Sequence, residues 1–168
     1  MKKIFLALAV TVFMLLSACG GSQTKDNKQA SESASMPTTE VLESVTIELE
    51  GHDNMKYTGD TKVKVKAGQK IILTLNNVGQ LPKEAMGHNV VVLTLGTDVA
   101  NFGTEAIKAK DDDYIPANLA SSIIAHTKLL GPGETDSITF RLDTPGVYDY
   151  ICTFPGHWAT MRGTITVQ

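Results

Sequence analysis

At 168 residues the chain has room for one domain with appendages. Its formal net charge of −3, from 15 Lys and Arg against 18 Asp and Glu, argues against nucleic acid as a partner, because that role needs a basic patch. Two cysteines allow at most one disulfide, so stability has to come from an apolar core, helped by whatever the cysteines bind.

Residues 1–18 read as an export signal. Lys2 and Lys3 supply the positive start, Ile4 to Leu16 the apolar centre, and Ser17-Ala18 the small residues before a cleavage point. The apolar stretch is shorter than the roughly 20 residues a membrane span needs. Leu16-Ser17-Ala18-Cys19 resembles a bacterial lipoprotein signal, which implies that Cys19 becomes the lipidated N-terminus and holds the protein at a membrane. Gly20, directly after Cys19, is unlike an inner-membrane retention signal, so the outer membrane is favoured. With Cys19 acylated and Cys152 assigned below to a metal, no disulfide is expected. Residues 19–43 are rich in Ser, Thr, Gln, Lys and Glu and nearly devoid of apolar side chains. Such a segment cannot bury a core and reads as a tether, reaching on the order of 25 to 30 Å by coil scaling.

The domain proper is expected over residues 44–168. Val45 to Leu49 alternates strictly, as a half-buried strand does, and Gly51 to Asn54 reads as a turn. Val63 and Val65 alternate with Lys62, Lys64 and Lys66, the pattern of an edge strand whose lysines discourage pairing with another chain. Lys70 to Asn76, Val90 to Leu95, Ser122 to His126, Thr135 to Phe140, Val147 to Ile151 and Gly163 to Val167 are further strands, separated by Gly- and Pro-containing turns. The single predicted helix runs from about Asp98 to Lys110, with Val99, Phe102 and Ile107 as its inner stripe, and Asp111 to Asp113 ends it in solvent. Short strands at this spacing define an all-β chain folded as a Greek-key β-sandwich with one short helical flap.

Chemistry concentrates between the last two strands, in Cys152-Thr153-Phe154-Pro155-Gly156-His157-Trp158-Ala159-Thr160-Met161. Pro155-Gly156 turns the chain there, so a thiolate, an imidazole and a thioether of one loop can converge at the end of a sheet. Cys-x4-His-x3-Met, completed by a second imidazole, is the donor set of a His₂Cys blue-copper site with a weak axial Met. His88, after Gly87 at the start of a strand, is the candidate for that second imidazole. His52, in a polar turn, and His126, in a strand without a soft donor nearby, are set aside, as are Met55 and Met86. The site leaves no position open for a substrate, which makes a carrier of single electrons between Cu(I) and Cu(II) the expected function. The alternative is an envelope protein that stores or delivers copper. An enzyme of the copper nitrite reductase kind would need a second metal site, which His52 and His126 alone do not supply. Leu81, Met86, Pro155 and Trp158 are expected to form an apolar patch around His157 on which a redox partner docks.

Five strings carry a family resemblance: Leu81-Pro82-Lys83, Met86-Gly87-His88-Asn89, Ile124-Ala125-His126-Thr127-Lys128-Leu129, Gly133-Glu134-Thr135-Asp136-Ser137, and Cys152-Thr153-Phe154-Pro155-Gly156-His157. Together they resemble the azurins of the cupredoxin family, over essentially the whole domain from Val45 to Gln168. The resemblance implies an eight-stranded Greek-key sandwich and copper held by His88, Cys152 and His157. It also implies Met161 as weak axial group and the Gly87 carbonyl as a weak contact opposite. Asn89 would pin the loops, and the Phe154 amide would donate to the thiolate sulfur. The partners it implies are redox proteins such as c-type cytochromes or a terminal reductase or peroxidase, met in the periplasm or at the cell surface. The chain departs from azurins in three respects. Gly68 stands where a disulfide cysteine is usual, Val90 to Val92 lack the tryptophan that follows Met-Gly-His-Asn, and Trp158 is an aromatic where a small residue is expected.

Overall fold

The computed structural model describes residues 43–168. The expected export signal (residues 1–18), the expected lipidation at Cys19 and all but the last residue of the expected tether (residues 19–43) lie outside the described residues. Nine strands are present among the described residues: β1 (Val45–His52), β2 (Lys56–Gly59), β3 (Lys62–Val65), β4 (Lys70–Asn77), β5 (Val91–Leu93), β6 (Ile123–His126), β7 (Thr135–Arg141), β8 (Gly146–Ile151) and β9 (Arg162–Val167). They form a four-stranded sheet in the order β2-β1-β4-β7 and a five-stranded sheet in the order β3-β9-β8-β5-β6. Both sheets are mixed. β1 runs parallel to β4 and β3 parallel to β9, while the remaining pairs are antiparallel. As expected, the chain is a β-sandwich with a short helix.

Alternation explains why the two sheets close on each other. Ile47 and Leu49 of β1, Ile71, Leu73 and Leu75 of β4, and Phe140 of β7 turn inward from the first sheet. They share one core with Val65, Tyr148, Tyr150, Ile165 and Val167 of the second. Each such side chain contributes about 1.5–3 kcal/mol by leaving water. The β5 region behaves differently, because Val90, Val91, Val92 and Leu93 are all fully buried. Val90 and Val92 enter the main core, whereas Val91 and Leu93 point to the opposite face and meet Phe102 and Ile151. A strand covered on both faces loses its alternation, which is why this run reads as continuously apolar. The valines fill the space without the expected tryptophan.

The cover on that second face is the helical flap. Its α-helix is shorter than the predicted Asp98–Lys110 and spans Val99–Ala106. Asp98 caps it, with its carboxylate accepting from the Ala100 and Asn101 backbone N–H groups at 3.0 Å each. Phe102 and Ala106 face the sheet, but Ile107 lies past the last turn and is 44% exposed, so it does not belong to the inner stripe. Two further corrections concern the pieces between strands. A four-residue helix, Lys83–Met86, and 3₁₀ turns at Lys110–Asp112 and Ala117–Ser122 stand beside what was expected to be a single helix, and Ser122, expected to open a strand, ends the last of these turns. Gly51 and His52, read as a turn, are the last residues of β1; the turn comes at Asp53–Met55, with Met55 at a φ of 58°. That sharp reversal separates β1 from β2 and makes nine strands rather than eight.

Candidate metal centre

The hairpin from β8 to β9 carries three of the four expected donors. Ile151 pairs with Arg162 at its base, and beyond it the Cys152 N–H donates to the Met161 carbonyl at 2.9 Å. Within the loop the His157 N–H donates to the Phe154 carbonyl (3.0 Å) and the Met161 N–H to the His157 carbonyl (2.8 Å). Two consecutive turns therefore fold the loop inward and bring Cys152, His157 and Met161 to its inner side. The Thr160 hydroxyl fastens the outer side by donating to the Met55 carbonyl at 3.0 Å.

His88 arrives from the stretch before β5. An isolated bridge holds its backbone, with N–H and carbonyl exchanging hydrogen bonds with Leu130 at 3.1 and 2.7 Å. Its ring lies 5.2 Å from that of His157, centre to centre. The donor atoms of His88, Cys152 and His157 all fall within 4.8 Å of one another, and the Cys152 sulfur is 3.4 Å from His157 Nδ1. His88, Cys152 and Met161 are fully buried and His157 is 1% exposed. Neither ring nitrogen of His88 has a hydrogen-bond partner. A buried imidazole with both nitrogens unsatisfied is costly unless something else takes its lone pair. A soft thiolate, two imidazoles and a thioether in one dry pocket suit copper, and the unpartnered His88 shows that the pocket is built to receive it.

Burial sets the protonation states. The Cys152 thiol is pushed up to about 12, opposed by the Asn89 and Phe154 backbone N–H groups and the Tyr57 hydroxyl, all of which act on the sulfur. Burial, with His88 nearby, pulls His157 down to about 4. His88 is lowered too, again by burial, with the Asp53 carboxylate opposing. At neutral pH the copper-free pocket therefore holds a thiol and two neutral imidazoles. Metal uptake has to remove only the thiol proton.

The supporting residues are well connected. The Asn89 side chain accepts from the Thr153 N–H at 2.8 Å and from its hydroxyl at 3.1 Å, while its own NH₂ donates to the Thr153 hydroxyl (2.8 Å) and the Asp113 carbonyl (3.2 Å). One amide thus joins the His88 segment, the ligand loop and the 3₁₀ turn after the flap. Phe154 packs against the His157 ring at 4.8 Å and against Tyr114 at 5.3 Å. The Gly87 carbonyl lies beside the His88 ring. His52 and His126 stay outside the cluster: His52 meets the Thr58 hydroxyl at 2.8 Å, and His126 is exposed. Of the expected patch, Leu81 is 44% exposed and Met86, Pro155 and Trp158 are half-buried. Trp158 lies across the helix Val99–Ala106, where a Cβ on Gly103 would come within 2.4 Å of the indole. Only glycine lets the ring sit there.

One residue of the site escapes sequence reasoning. A Cβ on Gly51 would stand 2.8 Å from His88 Cδ2 and 3.2 Å from the Met161 methyl. The glycine is the floor under two ligands, yet in a polar stretch its only visible signal is that of a turn.

Sandwich, dry pocket and donor set together define a type 1 copper protein, an electron carrier with no place for substrate. The chain belongs to the plastocyanin/azurin family of copper-binding proteins, whose model matches residues 43–168. It is 41% identical over 123 residues to the azurin of Alcaligenes faecalis, covering 71% of this chain and 94% of that one. It is 40% identical over 124 residues to outer membrane protein H.8 of Neisseria gonorrhoeae, covering 71% of this chain and 65% of that one. Among solved structures, reduced auracyanin from Roseiflexus castenholzii superposes with a TM-score of 0.66 at 39% identity, covering 74% of this chain and 98% of that one.

Proposed function

We propose that the chain works as a lipid-anchored carrier of single electrons at the bacterial cell envelope, with its domain, residues 44–168, in the periplasm or at the cell surface. The observation that carries the electron-transfer part is the fully buried His88, unpartnered at both nitrogens, beside a buried thiol and a second imidazole. When bound, copper supplies the Cu(I)/Cu(II) couple. Everything else the residues do is to hold the donors still: His88, Cys152, His157 and Met161 as ligands, the Gly87 carbonyl as a weak contact, Asn89 as the pin between loops, and the Phe154 amide as a donor to the sulfur. Donors fixed by two sheets need little rearrangement when the charge changes, which keeps exchange fast. The test is the visible spectrum of residues 41–168 on adding Cu(II). An intense blue band present in the parent and absent from Cys152→Ser is the expected result; a colourless product would favour copper storage or delivery.

The anchor rests on Leu16-Ser17-Ala18-Cys19 and on the polar tether of residues 19–43, and an outer membrane protein among the relatives supports an envelope location. Fractionation of cells making the full chain should place it with membranes, and Cys19→Ser should move it to the soluble fraction. An unchanged distribution would mean that Cys19 does not carry the anchor. Redox proteins such as c-type cytochromes or a terminal reductase or peroxidase are the proposed partners, docking over Leu81, Met86, Pro155 and Trp158. Leu81→Glu tests this face, because Leu81 is the member most open to solvent. A slower exchange with reduced cytochrome c at unchanged colour is expected; an unchanged rate would move docking elsewhere.

A further inference from the structure

Trp158 is the largest side chain of the ligand loop and follows His157 directly, while Gly156, Ala159 and Thr160 around it are exposed. It does not turn to solvent with them. Its ring packs on the cluster of Val91, Leu93, Phe102 and Ile151 that the helix Val99–Ala106 closes. A Cβ on Gly103 would overlap Cγ and Cδ1 of the indole and stand 2.8 Å from Cδ2, so the ring rests directly on the helix backbone. Glycine weakens a helix interior relative to alanine, and the space gained for that loss is filled by the indole. The same segment holds the loop on the other side of His157. Tyr114, just after the 3₁₀ turn Lys110–Asp112, sets its ring edge-on to Phe154 at 5.3 Å, and the Asp113 carbonyl accepts from the Asn89 side chain at 3.2 Å. Residues 98–114 therefore grip the ligand loop at Phe154, before His157, and at Trp158, just after it.

We propose that Trp158 is a positioning residue which, seated on Gly103, braces His157 against displacement from the copper by donors arriving from solution. The inference rests on the reading of His157 as a copper ligand. Of the four donors, His157 alone has any exposure, at 1%, so it is the one a competing donor meets first. Its backbone bonds are all local: its N–H donates to the Phe154 carbonyl, and its carbonyl accepts from the Thr160 and Met161 N–H groups. Those bonds shape the turn without fastening it to the rest of the protein. Phe154 is fastened through Tyr114, and Thr160 through its hydroxyl on the Met55 carbonyl. Between these two points the indole on the helix is what fixes the turn to the folded frame. Without it the turn is free to roll about its two attachments, carrying the imidazole away from Cys152. Partial burial of an aromatic ring is worth on the order of tenfold in such an equilibrium.

The contact is tested first without metal. In the copper-free protein Gly103→Ala should lower the melting temperature, because the new methyl unseats the indole. In a Trp158→Ser background the same change should leave the melting temperature unchanged or raise it, since alanine is the better helix former. An equal effect of the alanine in both backgrounds would mean that indole and helix do not support each other, and the proposal falls. The brace is tested on the copper-loaded protein, with free imidazole as the competing donor and the sulfur-to-copper absorption band as the readout. Trp158→Ser and Gly103→Ala should change the band at roughly tenfold lower imidazole than the parent, with Trp158→Phe in between because a smaller ring still covers the helix. Ile71→Val serves as the stability control. Ile71 is fully buried in the main core at the opposite end of β4 from Asn77, which pairs with Gly51 beneath the ligands. The valine should lower the melting temperature and leave the imidazole response at the parent value. If Trp158→Ser keeps the parent response, or Ile71→Val shifts it as much, Trp158 is packing only and the proposal fails. A parent protein with no blue band sinks the copper-carrier reading instead, a failure told apart by a melting-temperature cycle that still shows the contact.

Discussion

Gly51→Val is expected to cost the protein more than tenfold in copper affinity while leaving the sandwich folded. The reason lies in two backbones that cannot retreat. Gly51 is paired on both sides, to Tyr57 of β2 and Asn77 of β4, and its carbonyl also accepts from the Val78 N–H at 3.0 Å. His88 is held by its bridge to Leu130. A new Cβ would meet the His88 ring at 2.8 and 3.1 Å and the Met161 methyl at 3.2 Å, so the side chains must give way. Overpacking of this kind costs about 1–3 kcal/mol, and here the displaced groups are ligands. Gly51→Ala should keep a blue band at an altered energy, because a shift of a few tenths of an ångström relieves one methyl. Valine adds two more carbons and should tilt His88 out of reach. Copper titration followed by visible absorption, beside thermal melts of the copper-free proteins, separates lost ligation from lost folding. A valine variant with the parent spectrum would mean that His88 is not held where the structure has it.

Acid should weaken the copper-free protein and the copper site together, for one reason. His157 sits near 4 in the folded chain against an ordinary value of 6.5. Between those two values the unfolded chain binds a proton that the folded chain does not, so stability falls as pH drops from about 6.5 to about 4 and then levels for this group. His88, lowered as well, adds to the loss in the same direction. The thiol works from the other side. Raised from 9.0 to about 12, Cys152 contributes stability that is whole below 9.0 and lost as pH rises through 12. The copper-free protein should therefore be most stable between about 6.5 and 9. Since loading removes one thiol proton, copper affinity should rise about tenfold per pH unit across the range where the histidines are neutral, and more steeply where they are not. Melting temperatures of the copper-free protein and competitive copper titrations across about pH 4 to 7 check both statements. A flat stability profile over that range would show that the imidazoles remain hydrated.

The strands were legible wherever one face is wet. β1, β4, β7 and β9 announce themselves by alternation, and β3 was legible as an edge because lysines flank its valines. The double burial of β5 hid its faces, and no pattern in the sequence indicates that β1 pairs parallel to β4 or β3 to β9. Helix length failed for a local reason: Ile107 continues the apolar spacing, but the helix has already ended and the side chain meets solvent. The donor set was legible because its chemistry is rare and three of its members share one loop. Gly51 and Gly103 were not. A glycine chosen to leave space differs from an ordinary turn or helix glycine only in what lies across from it, which a linear pattern does not contain.

The sheet edges have a bearing on turnover. Of the four outer strands, β2, β3 and β6 are only four residues long, and β3 presents Lys62 and Lys64 to solvent. A long bare edge would let any neighbouring strand add to the sheet through main-chain hydrogen bonds. For a carrier, such a union would be a trap, because each visit has to end before the next electron can move. Three short edges, one of them lined with lysines, limit such pairing among the described residues and favour control of a collision's lifetime by the face near His157.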